Sequence, residues 1–356
     1  MKSVLFVAAG LLAAAPAWAA PPADLGQRLA EGYARPAMAT LDERARAMRQ
    51  DLQAWCASPG QEGAGKVAAA FGRLAQAWAG VAFLRFGPLV EGNRFERLSF
   101  WPDTRGVMPR QVQAALAAAD PALLAAGALK SRSVAVQGLP ALEYLLYGEP
   151  GLLRQAPRDA AGSAYACAYG VAVAGNIQEL AGELRQAWDG QGAFGRQFTA
   201  PARDNELYRS PQEVAAEAMK ALSTGLQSAR EISLLPALGA DAQAARPKRA
   251  AFWRSGQSGA VLAASLRGML AFYQAGGYGF APGSQGLADT FRHELEQAAG
   301  LVAAAPGDAE AAFTQPEARA SLALAALIIK NAKDVVDQDI APALGVTIGF
   351  NALDGD

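Results

Sequence analysis

Between Val134 and Tyr147 only Gln137 and Glu143 carry strongly polar side chains. A helix that is apolar nearly all round is buried. A carboxylate inside it must be ion-paired, hydrogen-bonded or protonated. Glu143 therefore needs a partner, and Arg85 is the first candidate. It continues the stripe Val67, Phe71, Leu74, Trp78 and Val81, so it either meets a buried acid or turns its tip to water. Arg254 and Ser255, in Phe252-Trp253-Arg254-Ser255-Gly256, are candidates from the second half of the chain, and Trp101 and Asp103 from the first. Together these residues could wall a polar pocket between two halves, a preferred place for ligands. The alternative is that Glu143 only satisfies a helix end or a nearby arginine.

Other chemistries find little here. A helical zinc peptidase needs two histidines one turn apart with a glutamate base, and the chain has one histidine, His293. No Gly-x-Ser-x-Gly elbow supports a serine hydrolase. A glycosidase needs two carboxylates across a cleft, and the sequence does not pair Glu143 with a second acid. There is no Gly-rich phosphate loop followed by Lys-Ser or Lys-Thr. Oxygen ligands could still hold iron or calcium, yet Asp354-Gly355-Asp356 is only a fragment of a calcium loop. Asp334 and Asp337 lie one turn apart and could face inward. Their i,i+4 spacing to Lys330 and Lys333 favours surface pairs instead.

The first residues read as a secretory leader. Lys2 supplies the positive start, Val4–Ala15 the apolar core, and Ala17-Trp18-Ala19 a small-x-small cleavage site. A leader over residues 1–19 implies export to the periplasm. Its apolar core is too short to span a bilayer, and no later segment is long enough to cross one: the best candidate, Leu322–Ile329, stops at Lys330. The net charge is −1, or −2 once Lys2 leaves with the leader. That balance argues against nucleic acid as a partner. Cys56 and Cys167 are the only cysteines. In an exported chain an even count suggests a disulfide; two buried thiols are the alternative.

Alternating β-branched runs are nearly absent, while Ala, Leu, Gln, Glu and Arg abound, which favours helix. Helices are predicted over 28–55, with an interruption at Pro36, over 66–86, 111–119 and 164–188, from Ser210-Pro211 with Glu213 completing a capping box, over 258–275, and from Pro316 to about Ile340. Another starts near Leu139-Pro140, with proline at its first position. That would put Glu143 in the first turn, where the helix dipole favours an anion. Gly190–Tyr208 reads as a linker, so the chain divides into a helical bundle over 24–205 and another over 206–356. The fold class is all-α, two packed four-helix-bundle-like domains.

Four stretches resemble the imelysin-like family. Gly138 and Glu143 match the first and last positions of its Gly-x-His-x-x-Glu motif if one extra residue is allowed, or if Leu139-Pro140 displace the histidine. The others are Phe83–Leu89, Phe100-Trp101-Pro102-Asp103 and Leu344–Asp356. The resemblance implies a pair of related four-helix bundles and a role in iron acquisition at the bacterial envelope. On that reading the chain is a non-enzymatic accessory or binding protein of iron or metal uptake. The resemblance implies a small molecule or a metal such as iron as ligand and an envelope protein as partner. A pocket would lie around Arg85, Trp101, Asp103, Gly138, Glu143, Arg254 and Ser255. Without the histidine, Glu143 is the one residue left as a metal ligand. The family's former grouping with peptidases keeps a hydrolase as the alternative, and a structural module of the envelope is a third.

Overall fold

The computed structural model describes residues 20–149, 151–154, 160–281 and 283–349. The leader over 1–19 and the end of the chain from 350, including Asp354-Gly355-Asp356, lie outside the described residues. Every regular element among the described residues is helical, as the composition requires.

The chain opens with α1 (Leu25–Leu29) and passes through a π-helical turn, Ala30–Ala34, into α2 (Arg35–Ala57). The expected interruption at Pro36 is therefore a local widening of the helix. Pro36 has no N–H to give the preceding turn, and the π turn absorbs the mismatch. Met38, Leu41, Ala45, Met48 and Leu52 follow steps of three and four along α2 and are fully buried. Then come α3 (Gln61–Val81), the short α4 (Arg94–Leu98), α5 (Val107–Ala118), α6 (Gly138–Tyr147), α7 (Ala160–Trp188) and α8 (Ala193–Thr199). Helix α2 packs against both α3 and α7, and α6 packs against α7. A disulfide between Cys56 and Cys167 pins the end of α2 to α7.

The second half contains α9 (Pro211–Gln227), α10 (Leu235–Leu238), α11 (Ser258–Gly276), α12 (Gly286–Ala303), α13 (Ala309–Thr314), α14 (Pro316–Asp334) and α15 (Ala341–Ala343). Helix α12 packs between α11 and α14, and α14 also meets α9. Ser210 caps α9 by accepting the Glu213 N–H, while Glu213 accepts the Arg209 N–H, a box shifted by one residue. A π turn, Val335–Ile340, carries the α14 helix to its expected end. Lys330 pairs with Asp334 and Lys333 with Asp337, as their spacing suggests.

The halves meet where α3 crosses α11. The Tyr33 hydroxyl donates to the Gly80 carbonyl on α3 at 2.5 Å. A Cβ at Gly268 on α11 would sit 2.5 Å from that hydroxyl and 2.7 Å from the Gly80 oxygen, so only glycine lets the backbones approach. The start of the chain also bridges, since α1 touches both α9 and α11. The predicted linker over 190–208 contains α8, whose Phe194 and Phe198 are buried beside Trp188, Phe86 and Tyr208. Its glycines disguise it, because they break the helical period without breaking the packing. Among the described residues no helix is long and apolar enough to cross a membrane.

Candidate functional site

Helix α6 begins at Gly138, one residue before the predicted start, with φ at +77°. A Cβ there would lie 2.5 Å from the Arg97 carbonyl oxygen and 2.6 Å from that of Leu98. Glycine is thus required by both conformation and space. Gln137, just before it, is 1 % exposed and anchors the approach. Its amide donates to the carbonyls of Leu129 and Arg132, and its oxygen accepts from Asn176 at 2.9 Å.

Glu143 is the sixth residue of α6, so no acid occupies the first turn. The helix dipole acts mainly within that turn and is not its chief support. The partner comes from the other half of the chain. Glu143 Oε1 accepts the Ser255 backbone N–H at 3.0 Å and the Ser255 hydroxyl at 2.8 Å. Arg254 Nη1 stands 4.0 Å from Oε2. The Arg254 guanidinium lies over the rings of Trp253 and Tyr144. Burial pushes the Glu143 carboxyl above its ordinary value, opposed by the Ser255 bonds and the Arg254 charge. The same burial pulls Arg254 down, while Glu143, Tyr144 and Asp103 hold it up.

Loop 250–257 is shaped for this contact. Phe252 adopts a left-handed backbone, φ +56°, which a bulky residue rarely does. The Gln257 N–H closes the turn on the Phe252 carbonyl, and the Ser258 hydroxyl holds the Ala251 carbonyl. One side of the loop grips Glu143. The other side, through Ala250, Ala251 and Phe252, forms part of a cavity of about 320 Å³ at the junction of the halves.

Arg85 and Trp101 line that cavity, and Glu143 does not. Arg85 is not Glu143's partner because α3 ends at Val81, and the chain then leaves the helical path that would have carried the stripe onward. Its guanidinium lies over the Phe95 ring at 4.0 Å. Asp103 serves the start of α5, accepting the Val107 and Met108 N–H groups at 2.8 and 2.7 Å. The candidates thus form two groups. Glu143, Arg254 and Ser255 make a latch, with Asp103 acting on it through its charge. Arg85 and Trp101 belong to the cavity. Loop 250–257 joins the two.

The remaining walls are mostly apolar, with Phe83, Phe95 and Trp78 from the first half and Leu262, Phe313 and Leu322 from the second. Ser228 also lines it, and neither its hydroxyl nor Trp101 Nε1 has a hydrogen-bond partner although both are buried. Sequence reasoning missed Ser228 because it sits in a π turn, Ser228–Leu234, with no polar neighbour pattern to single it out. Among the described residues no three His, Cys, Asp or Glu side chains are grouped as a metal ion would need. At Glu143 one oxygen is taken by two donors and the other faces a guanidinium, a set that does not suit a cation. His293 is exposed on α12.

The family model described as Imelysin (peptidase M75) matches residues 34–335. Two solved structures are similar. An imelysin-like protein from Psychrobacter arcticus 273-4 superposes with a TM-score of 0.72 at 20% identity, covering 94% of this chain and 99% of that one. A precursor assigned as iron-regulated protein A, from Parabacteroides distasonis ATCC 8503, gives 0.69 at 12% identity, covering 89% and 95%. No curated protein sequence matches the chain.

Proposed function

The chain belongs to the imelysin family, and from that premise we propose that it is an exported, non-enzymatic binding protein of the cell envelope that serves iron uptake. The observation that carries the binding role is the cavity of about 320 Å³ walled by both halves. Its volume falls at the lower end of small-molecule sites, roughly 300–1,000 Å³. The similarity to a precursor assigned as iron-regulated supports the link to iron. The leader read in the sequence and the Cys56–Cys167 disulfide support export, since such bonds persist in oxidising compartments.

In this reading Glu143 is a latch and not a metal ligand. It holds loop 250–257 against α6, and that loop in turn shapes the cavity wall. Counted residue by residue, Pro140 stands at the histidine position of the family motif, with no extra residue needed, in the first turn of the helix that carries Glu143. Glu143 does accept the Ser255 hydroxyl, but the pair lies outside the cavity and Glu143 is 2 % exposed, which favours binding over hydrolysis. The test has two arms. Loss of the gene should slow iron uptake under iron limitation, with the wild-type gene restoring it; unchanged uptake would remove the iron role. Mature protein should leave casein and a peptide library intact. Chelator-sensitive cleavage that persists through further purification would establish the peptidase reading instead.

A further inference from the structure

We propose that the cavity binds a small organic anion with an apolar body, its charge held by Arg85 and its hydrocarbon part seated against the aromatic and aliphatic walls. This deepens the reading of the cavity as the ligand site and rests on it. The argument begins with charge. Among the described residues that line the cavity Arg85 is the only charged one, and none is Asp, Glu, His or Cys. A bare metal cation would find no strong ligand there and would meet a positive charge.

The Arg85 side chain is also without a polar partner among the described residues. Its guanidinium has no hydrogen bond to a described residue and no carboxylate within ion-pair distance; it rests on Phe95. Glu96 is the one acid that favours its charge, and Glu96 is exposed at the surface. A part-buried guanidinium carries five N–H donors in a fork that suits a carboxylate or a similar oxyanion. Two further groups in the same wall are unsatisfied, the Trp101 Nε1 donor and the Ser228 hydroxyl. Buried polar groups without partners are uncommon, and these line the same cavity as Arg85. The rest of the wall is mostly apolar, with Ser99, Ser233, Ser258 and Ser265 among the aliphatic and aromatic side chains, and it rewards a hydrocarbon body.

The probes are octanoate, octanol and octylammonium, which share a chain and differ in charge, titrated calorimetrically into the mature protein. Octanoate is expected to bind at least tenfold more tightly than the other two. Arg85→Gln, which removes the charge, should weaken octanoate roughly 10- to 100-fold and leave octanol unchanged. Ser265→Phe, which places a ring in the cavity, should abolish binding while the protein stays folded by circular dichroism. Equal binding of octanol and octanoate, or an Arg85→Gln variant that keeps full octanoate affinity, would overturn the anion assignment and leave the cavity as an apolar ligand site. Failure of all three probes to bind would overturn the anion assignment and the cavity's role together.

Discussion

Glu143→Ala is expected to lower stability to denaturant by about 3 kcal/mol, far more than most single changes. The loss comes from what the carboxylate leaves behind. The Ser255 N–H and hydroxyl lose their acceptor, and Arg254 loses its counter-charge in a part-buried setting. Glu143→Gln keeps an oxygen for Ser255 and should cost about 1 kcal/mol or less. The pH dependence separates the two roles of the group. Burial raises the folded-state value above the ordinary 4.5, so the folded protein binds the proton more tightly than the unfolded chain. The stability held by the protonated group is full below about 4.5 and is lost as pH rises toward the raised value. The wild-type advantage over Glu143→Gln should therefore shrink as pH rises from 4.5, with other carboxylates cancelling in the difference. A gap that widens with pH would mean that the pairing with Arg254 outweighs burial.

The second large effect lies at the disulfide. Cys56 and Cys167 are separated by 111 positions, and chain-entropy models assign roughly 4–5 kcal/mol to closing such a loop. Changing both cysteines to serine should lower the Tm by on the order of 5 °C. Helices α2 and α7 already pack closely along their lengths, so the variant is expected to fold and to keep its ligand affinity. A change under about 1 kcal/mol would mean that the unfolded chain holds these helices together without the bond.

Local rules carried much of the architecture. The stripe of α3 and the capping box of α9 were legible because each is written within a single turn or two; the start of α6 was legible to within two residues, Pro140 standing third and not first. The need of Glu143 for a partner was also legible, since an acid in an apolar run has few options. The identity of that partner was not. Arg85 lay on the right face only if α3 continued, and the helix ends four residues before it. Arg254 and Ser255 reach Glu143 across more than 100 residues, through a loop bent at Phe252 into a backbone region that no sequence pattern announces. The cavity was equally hidden. Its wall draws on α3, α11, α13, the π turn Ser228–Leu234 and loop 250–257, and nothing local marks Ser228 or Ala229 as sharing a cavity with Trp101. The grouping of Arg85 with Glu143 failed for the same reason, because a shared pocket is a property of the packed halves and not of either segment.

The most direct test concerns metal at Glu143. Mature protein and the Glu143→Gln variant would be equilibrated with ferrous and with ferric iron, freed of excess, and read by elemental analysis. The account predicts the same iron content in both, because the carboxylate is already occupied by Ser255 and Arg254. One iron per chain in the wild type, lost in the variant, would contradict the latch and make Glu143 a metal ligand.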